Sequence, residues 1–532
     1  MSRILNTIFH KKKLRTGSVG TVVVVGIFFF AIFAQHGVPA STASQLGQQS
    51  PYAARRMYIG HKVIQVHIRD TADLELVRAM TDDIWSRHDL EGTIDIRISP
   101  EQFSRLLQTD LSFTTLIEDL QERVDSEAAE IVAREKMPHL SWYENYKQLN
   151  EIQAKISELA DEFSNLAQLT EIGRSIEDRP VLLLEITGTG DSSDRPIVMI
   201  IGCQHAREWV SPMTVMYIAE QLLEQYTASS KVRDILDQVQ FFIVPMMNPD
   251  GYLYTWTTER YWRKNRNPNP DFECMGVDLN RNWNYSWGSA GADYEPCEDG
   301  ENNTYRGTAP FSEPELHGVR DVALTYRDRI QAFIDFHSYK QLILSPWSYT
   351  NEPPPSLGLF NVLGENMANA IADVHGKTYV YGPGATTAYI VSGGAKDWGF
   401  GELCALSWTI ELRPRLSTEG GFSLPPDQIQ PTAEESFEAV ISLTEALMPP
   451  EMAWVDFSWT ESEAGTYSQP YDMVSEGVSA VHAKGTVMIK AGTSEEALVI
   501  TEPVTLRSYK GSAVIGRSGL RLSGMDSPTQ SE

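Results

Sequence analysis

The chain has 532 residues, of which 42% are hydrophobic and 12 are tryptophan. It is therefore long enough for two or three domains and apolar enough to bury a large core. The formal net charge of −27 argues against nucleic acid as a partner, because a field of that sign repels phosphate.

The N-terminus carries the features of an export signal. Basic residues between Arg3 and Arg15 precede an uncharged apolar stretch over residues 17–34, and Val38-Pro39-Ala40 is typical of a signal cleavage site. We expect residues 1–40 to be a cleaved signal peptide and the protein to be secreted. The alternative is an uncleaved anchor, which would attach an exported domain to the membrane. Four cysteines agree with an oxidising compartment.

Residues 41–57 are rich in Ser, Gln and Ala and are predicted to be a linker. Residues 58–136 are predicted to form a small α/β module. Alternating apolar residues predict strands over 63–68, 93–98 and 112–117. Helical spacing predicts a helix over 72–88, and Ser99-Pro100 marks the start of a second one. A third helix, long and exposed, is predicted over residues 118–136.

Residues 137–450 alternate strand-like and helical segments, which predicts an α/β fold with a mixed central sheet flanked by helices. Residues 451–532 are more polar and are predicted to be a partly disordered extension. Short apolar runs within residues 487–515 resemble one rung of a parallel β-helix. A single rung cannot bury its own face, and three alternatives stay open: the segment packs on the preceding domain, is a remnant, or is disordered.

Two histidines and a glutamate follow strand-like runs in the central segment. His205 and Glu208 come after the apolar run 197–201, and His337 ends the run 333–336. Zinc accepts imidazole and carboxylate ligands together, and a catalytic site holds three of them and leaves a position for water. The H-x-x-E pattern alone is weak, since a surface ion pair would produce it too. We predict one Zn²⁺ held by His205, Glu208 and His337.

Further short sequence motifs match, in order and spacing over residues 139–449, those of the zinc metallocarboxypeptidases of the pancreatic A/B type, which this segment therefore resembles. They are Asn248-Pro249-Asp250-Gly251-Tyr252, Arg260-Tyr261-Trp262-Arg263, Asp278-Leu279-Asn280-Arg281-Asn282-Trp283, Tyr389, Ser392-Gly393-Gly394 and Ile410-Glu411-Leu412-Arg413. The N-terminal module resembles that family's activation peptide. The resemblance implies a zymogen that is cut by an endoprotease, with Arg134 and Lys136 as expected cleavage points. An accessory domain that is never removed is the alternative.

The resemblance also implies a role for each matching residue. Glu411 would be the general base and Arg263 would stabilise the oxyanion. The alternative for Glu411 is a structural pair with Arg413. Asp278 would orient a zinc ligand, and Cys274 would form a disulfide with Cys297. The expected substrate-binding residues are Arg207, Arg260, Asn280, Arg281 and Tyr389.

Lys396 occupies the position that would face the last side chain of the substrate. A lysine there predicts a preference for C-terminal Glu or Asp, with Ser348 and Gly384 in the pocket wall. The alternative is that Lys396 turns outward or pairs with Asp397, which would leave a broad specificity.

The other expectations concern partners and competing functions. The substrates would be peptide or protein C-termini, and the enzyme would be a monomer. A pseudoenzyme is disfavoured because the base and all three ligands are present, and an endopeptidase because H-E-x-x-H is absent. Cys203 and Cys404 are expected to be buried thiols, although a second bridge stays open. The Asn284 and Asn302 sequons predict glycosylation.

Overall fold

A computed structural model describes residues 57–522, except 82, 89–91, 194, 295–302, 449, 468, 484, 502 and 517–519. The predicted signal segment, almost all of the linker and the tail beyond residue 522 lie outside the described residues. Among the helices of the described part, none is both long and apolar enough to cross a membrane.

The N-terminal module, residues 57–136, is a four-stranded antiparallel sheet with three helices. Its strands lie in the order β2-β3-β1-β4. The second helix begins as predicted, with Ser99 as N-cap in a capping box with Gln102 and with Pro100 in the first turn. The elements are β1 Lys62–His67, α1 Thr71–Arg78, β2 Ile84–His88, β3 Thr93–Ile98, α2 Pro100–Leu106, β4 Phe113–Ile117 and α3 Leu120–Glu135.

Two predictions for this module were wrong in part. The helix predicted over 72–88 ends at Arg78, and Ile84–His88 pairs with β3 as an edge strand instead. Pairing with the next strand of the chain overrides helical spacing here. Helix α3 is also not simply exposed. Val124, Glu127 and Ile131, at helical spacing, form part of a buried stripe along it.

The central domain, residues 137–450, contains an eight-stranded mixed sheet, as predicted. The order is β11-β10-β12-β9-β7-β8-β6-β5. Strands β12, β9, β7 and β8 are mutually parallel, and β7, β8 and β9 are buried along their whole length. The strands are β5 Ala167–Arg174, β6 Pro180–Ile186, β7 Ile197–Gly202, β8 Gln240–Val244, β9 Ile330–Ser338, β10 Leu342–Ser345, β11 Val380–Pro383 and β12 Leu406–Leu412.

Helices flank this sheet, and their apolar faces complete its core. Helix α12 packs between α5 and α9, while α5 and α11 both contact β9. Short 3-10 helices lie at Trp142–Glu144, Leu279–Arg281, Ser417–Glu419 and Pro426–Gln428. The α-helices are α4 Leu149–Glu162, α5 Val210–Gln225, α6 Ser230–Leu236, α7 Pro249–Thr257, α8 Pro314–Thr325, α9 Leu357–His375, α10 Gly384–Thr387, α11 Ala395–Gly401 and α12 Ile429–Ala446.

The C-terminal module, residues 451–522, is a four-stranded sheet and not a β-helix rung. It comprises β13 Met452–Val455, α13 Val474–Ala480, β14 Thr486–Ser494, β15 Thr505–Ile515 and β16 Leu520–Leu522. Of the short apolar stretches within residues 487–515, those after residue 504 belong to one strand, β15, and residues 497–500 form no strand.

Both faces of this sheet are covered, which is why it is stable without further rungs. Val487 and Ile489 pack with Val474 of α13, while Trp454 and Tyr509 join the core of the central domain.

Candidate active site

The site lies at the carboxyl ends of neighbouring parallel strands. His205 and Glu208 follow β7 in the loop before α5, and His337 is the penultimate residue of β9. Because β7 and β9 pair in parallel, their ends meet at one edge of the sheet. The structure therefore brings together the three residues that the sequence predicts as ligands.

Their polar atoms converge closely enough for one cation. Nδ1 of His205 lies 2.8 Å from Oε1 of Glu208 and 3.0 Å from Nδ1 of His337. Nδ1 of His337 lies 2.9 Å from Oε2 of Glu208. All three side chains are buried. Two ring nitrogens facing one another beside a carboxylate fit the donor set of a zinc ion.

Carboxylates lie behind both histidine rings. Nε2 of His205 is 3.1 Å from Asp278, as predicted, and Nε2 of His337 is 2.7 Å from Oδ2 of Asp335. The Asp335 contact was missed by the sequence reasoning. The available signal was its position two residues before His337, which places both side chains on the same side of one strand.

Glu411 and Arg263 lie beside this cluster. Glu411 is on β12 directly opposite His337 of β9, and its side chain lines the cavity in front of the ligands. Burial raises the pKa of Glu411. Arg413 pairs instead with Glu435, so it is not the partner of Glu411. Arg263 lines the same cavity and donates from Nη2 to Asp278 at 2.8 Å.

The predicted carboxylate clamp is assembled along one wall of the cavity. Asn280 and Arg281 lie in the 3-10 helix Leu279–Arg281, and Tyr389 follows α10. Arg281 donates from Nη2 to the Tyr389 hydroxyl at 3.4 Å and from Nη1 to the Asn280 carbonyl at 2.8 Å. All three residues line the cavity.

Lys396 points into the cavity wall and not outward. It is 4% exposed, at the start of α11. Its Nζ donates to Ser348 Oγ at 2.6 Å and to Asp397 Oδ1 at 3.1 Å. Gly384 leaves room for this arrangement, since a Cβ there would lie 2.1 Å from Ser348 Oγ. Lys396, Ser348 and Gly384 thus line the same part of the cavity, and Lys396 pairs with Asp397.

Two arginines predicted in the cleft contact the N-terminal module. Arg207 lines the cavity and donates from Nη1 to Asp83 at 2.7 Å. Arg260 is buried against the N-terminal module and is not among the residues that line this cavity. It forms a two-pronged pair with Glu127 of α3, at 2.7 and 2.9 Å, and stacks on Trp209. Its role in binding substrate stays a prediction.

Cys203 and Cys404 are both buried, and neither forms a disulfide bond. Burial raises the pKa of Cys203. Cys297 lies outside the described residues, so its pairing with Cys274 stays a prediction. Asn284 is exposed, while Asn302 lies outside the described residues.

Comparisons with known proteins agree with this geometry. The family model described as zinc carboxypeptidase matches residues 152–439, and the model described as carboxypeptidase activation peptide matches residues 64–127. Carboxypeptidase B of Astacus astacus is 40% identical over 56% of this chain and 95% of its own length. Carboxypeptidase B of Bos taurus is 34% identical over 72% of this chain and 93% of its own length.

Solved structures show the same fold. Carboxypeptidase A from Helicoverpa armigera has a TM-score of 0.66 and 30% identity, over 74% of this chain and 98% of its own. Thrombin-activatable fibrinolysis inhibitor has a TM-score of 0.65 and 27% identity, over 73% of this chain and 98% of its own. The chain belongs to the zinc carboxypeptidase family and carries that family's activation peptide as its N-terminal module.

Proposed function

We propose that this zinc carboxypeptidase is a secreted zymogen that releases acidic residues from peptide C-termini. The observation that carries the acidic preference is Lys396, whose ammonium group is buried in the cavity wall beside Ser348. Its position among the cavity-lining residues, together with Arg281 and Glu411, supports contact with a substrate's last residue.

The catalytic step follows from the residues around the ligands. Zinc, when bound by His205, Glu208 and His337, supplies Lewis acidity and lowers the pKa of a coordinated water. Glu411 takes the proton from the attacking water and passes it to the leaving amine, a role suited to a carboxylate whose pKa burial raises. Arg263 donates hydrogen bonds to the oxygen that gains charge.

Restriction to chain ends comes from the clamp. A guanidinium binds a carboxylate through two parallel hydrogen bonds, so Arg281 is suited to hold the free C-terminus. Asn280 and Tyr389 provide further donors beside it. A zinc centre without this clamp would not distinguish a chain end from an internal peptide bond.

The charge balance in the pocket decides between an acidic and a broad preference. An ammonium group has three donors, and among the described residues the Lys396 ammonium has Ser348 and Asp397 as acceptors. Asp397 also accepts from the backbone N–H groups of Ser348 and Tyr349, which disperses its charge. The third N–H donor of Lys396, and the part of its positive charge that Asp397 does not neutralise, favour binding of a carboxylate on the last side chain of the substrate. A fully neutralised pair would instead give a broad preference.

The test is hydrolysis of N-blocked dipeptides ending in Glu, Leu or Lys, after limited trypsin treatment, with and without a zinc chelator. We expect chelator-sensitive release with Glu fastest. Lys396→Leu should lower kcat/KM for Glu on the order of 10- to 100-fold, because a charge-assisted hydrogen bond is lost, and should spare Leu. Lys231→Leu, which removes an exposed lysine, is the matched control. Fast Leu release with unchanged Glu release in Lys396→Leu would refute the acidic pocket.

We propose that the uncut enzyme is inactive because the N-terminal module covers the active-site cleft. Asp83 lies between Arg207 and Arg97, and both guanidinium groups pair with it. Burial alone would raise the pKa of Asp83, but the two arginines hold it at about 2, so it is charged at neutral pH. The cavity that holds the ligands is lined by Asp83 and Trp85 as well, which supports blockage of substrate entry.

Release of the module needs a cut in or after α3. Lys136 is the exposed C-cap of α3, whereas Arg134 is mostly covered and pairs with Glu130. A cut at Lys136 is therefore favoured. We further propose boundaries at 58–136 and 137–450, a Cys274–Cys297 disulfide, glycosylation at the sequons and a monomer.

A further inference from the structure

Asp335 is a buried carboxylate that joins two parts of the active site. It lies on β9 and is fully buried. Its Oδ2 is 2.7 Å from Nε2 of His337, accepts from Nε2 of Gln204 at 2.8 Å, and accepts from Nδ2 of Asn280 at 3.4 Å. A zinc ligand and a clamp residue therefore share one oxygen.

The hydrogen-bond partners determine which way each donor faces. The backbone N–H of Ala395 donates to Oδ1 of Asn280 at 2.8 Å, so the amide NH₂ of Asn280 must face Asp335. Nδ1 of His337 faces Glu208 and the ligand cluster, so in the tautomer that binds zinc Nε2 carries the proton and donates to Asp335. Nδ2 of Asn280 lies 3.0 Å from this Nε2, and in that tautomer its acceptor is Oδ2 of Asp335. All three neighbours are donors, and only an acceptor at position 335 satisfies them.

A negative charge at this position has a physical consequence. A buried carboxylate is unfavourable unless donors surround it. Here the donors hold the ring of His337 in one tautomer and orientation, and a carboxylate behind a ligating imidazole strengthens its basicity. Gln204 is held in turn by the indole N–H of Trp283, which donates to Gln204 Oε1 at 2.8 Å. The arrangement is thus anchored in the core.

We propose that Asp335 is a positioning residue that sets the geometry of His337 and of Asn280 together, and so couples zinc binding to binding of the substrate C-terminus. The part concerning Asn280 rests on the proposed clamp. The part concerning His337 rests only on the ligand cluster. Asp278 makes a different set of contacts: its Oδ1 lies 3.1 Å from Nε2 of His205 and accepts from the backbone N–H of Asn280 at 2.9 Å, and its Oδ2 accepts from Arg263. Asp335 is the carboxylate that contacts His337 and the side-chain amide of Asn280.

The experiment compares full-length protein with its Asp335→Asn and Asp335→Ser variants. The zinc dissociation constant is measured by competition with a chromophoric chelator, and the visible spectrum is recorded after cobalt substitution. After trypsin treatment, kcat and KM are measured for an N-blocked dipeptide. We expect zinc affinity to fall about 10- to 100-fold in both variants. The cobalt spectrum should shift, and KM should rise when zinc is saturating.

Asp321→Asn, at an exposed position, is the matched control and should leave the zinc affinity, the cobalt spectrum and KM unchanged. Thermal midpoints of the metal-free proteins separate a folding defect from a local one, and the smaller Asp335→Ser keeps a variant available if Asp335→Asn does not fold. Unchanged zinc affinity and an unchanged cobalt spectrum would overturn the proposal for His337. Weaker zinc with an unchanged KM would overturn the link to Asn280. Loss of all hydrolysis by the parent would instead refute the proposed function, leaving the zinc measurement valid.

Discussion

The pair between Glu127 and Arg260 predicts how firmly the N-terminal module holds the zymogen closed. Both side chains are almost completely buried, and Nε and Nη2 of Arg260 donate to the two carboxylate oxygens. Arg260 also donates to the Phe422 and Arg207 carbonyls, so it cannot turn away to solvent without further losses. Glu127→Gln removes the charge and one acceptor while keeping the size of the side chain.

The expected effect follows from the burial of this pair. Breaking a buried ion pair by removing one partner destabilises by about 3–5 kcal/mol, because the other charge is left uncompensated. Taking about 3 kcal/mol for a substitution that keeps one acceptor, the open population of the uncut protein should rise roughly 100-fold.

The assay is hydrolysis of an N-blocked dipeptide by the uncut protein, expressed as a fraction of the rate after trypsin. The rate after trypsin is a common reference, because a cut after α3 removes residue 127 and leaves the same mature enzyme in every variant. Glu130→Gln is the matched control on the same helix, since Glu130 pairs with Arg134 of that helix in a partly exposed contact.

We expect uncut Glu127→Gln to hydrolyse the dipeptide much faster than the parent, and Glu130→Gln to match the parent. An unchanged rate in uncut Glu127→Gln, together with a lower thermal midpoint, would refute the reasoning. The pair would then stabilise the fold without controlling access to the cleft.

Two further predictions concern the base and the pH dependence of the zymogen. Glu411→Gln should lower kcat by about 10²- to 10⁴-fold at unchanged zinc content, measured by turnover and metal analysis; near-normal turnover would remove Glu411 as the base. Burial of His61, followed in size by the positive charge of Arg97, lowers the pKa of His61 to about 4, whereas its pKa in the unfolded chain is about 6.5. The unfolded chain therefore binds more protons between pH 6.5 and 4, so uncut protein should lose stability as pH falls through that window. His61→Gln should flatten the thermal midpoint measured from pH 7 to 4.5, and an unaltered slope would contradict this assignment.

Part of the fold could be predicted from the sequence because the residues that determine it lie close together along the chain. Ser99 and Pro100 start α2 through contacts within one turn, and the apolar runs before His205 and His337 become the buried strands β7 and β9. The edge strand Ile84–His88 was missed because its partner, β3, supplies the hydrogen bonds that a helix would otherwise make internally.

The C-terminal module shows the same limit. Strands β13, β14 and β15 pair in parallel, β16 pairs antiparallel with β15, and one face of the sheet joins the core of the central domain. A β-helix rung and a docked sheet have similar short-range patterns. The strand pairing and the packing of Trp454 and Tyr509 on the central domain distinguish them.

For the active site, the sequence by itself identified the candidate residues, because His205, Glu208, His337, Glu411 and Arg281 lie in short motifs that resemble those of the zinc carboxypeptidases. The tertiary structure alone decided how these groups are held. The contact of Asp335 with His337 had a local signal, since two positions along one strand place both side chains on the same side. The other contacts had none: Asp335 reaches Asn280 over a separation of 55 positions, and Asp83 and Glu127 pair with arginines that are 124 and 133 positions away. Such contacts depend on where the chain brings its elements together, because no local pattern identifies a partner at that separation.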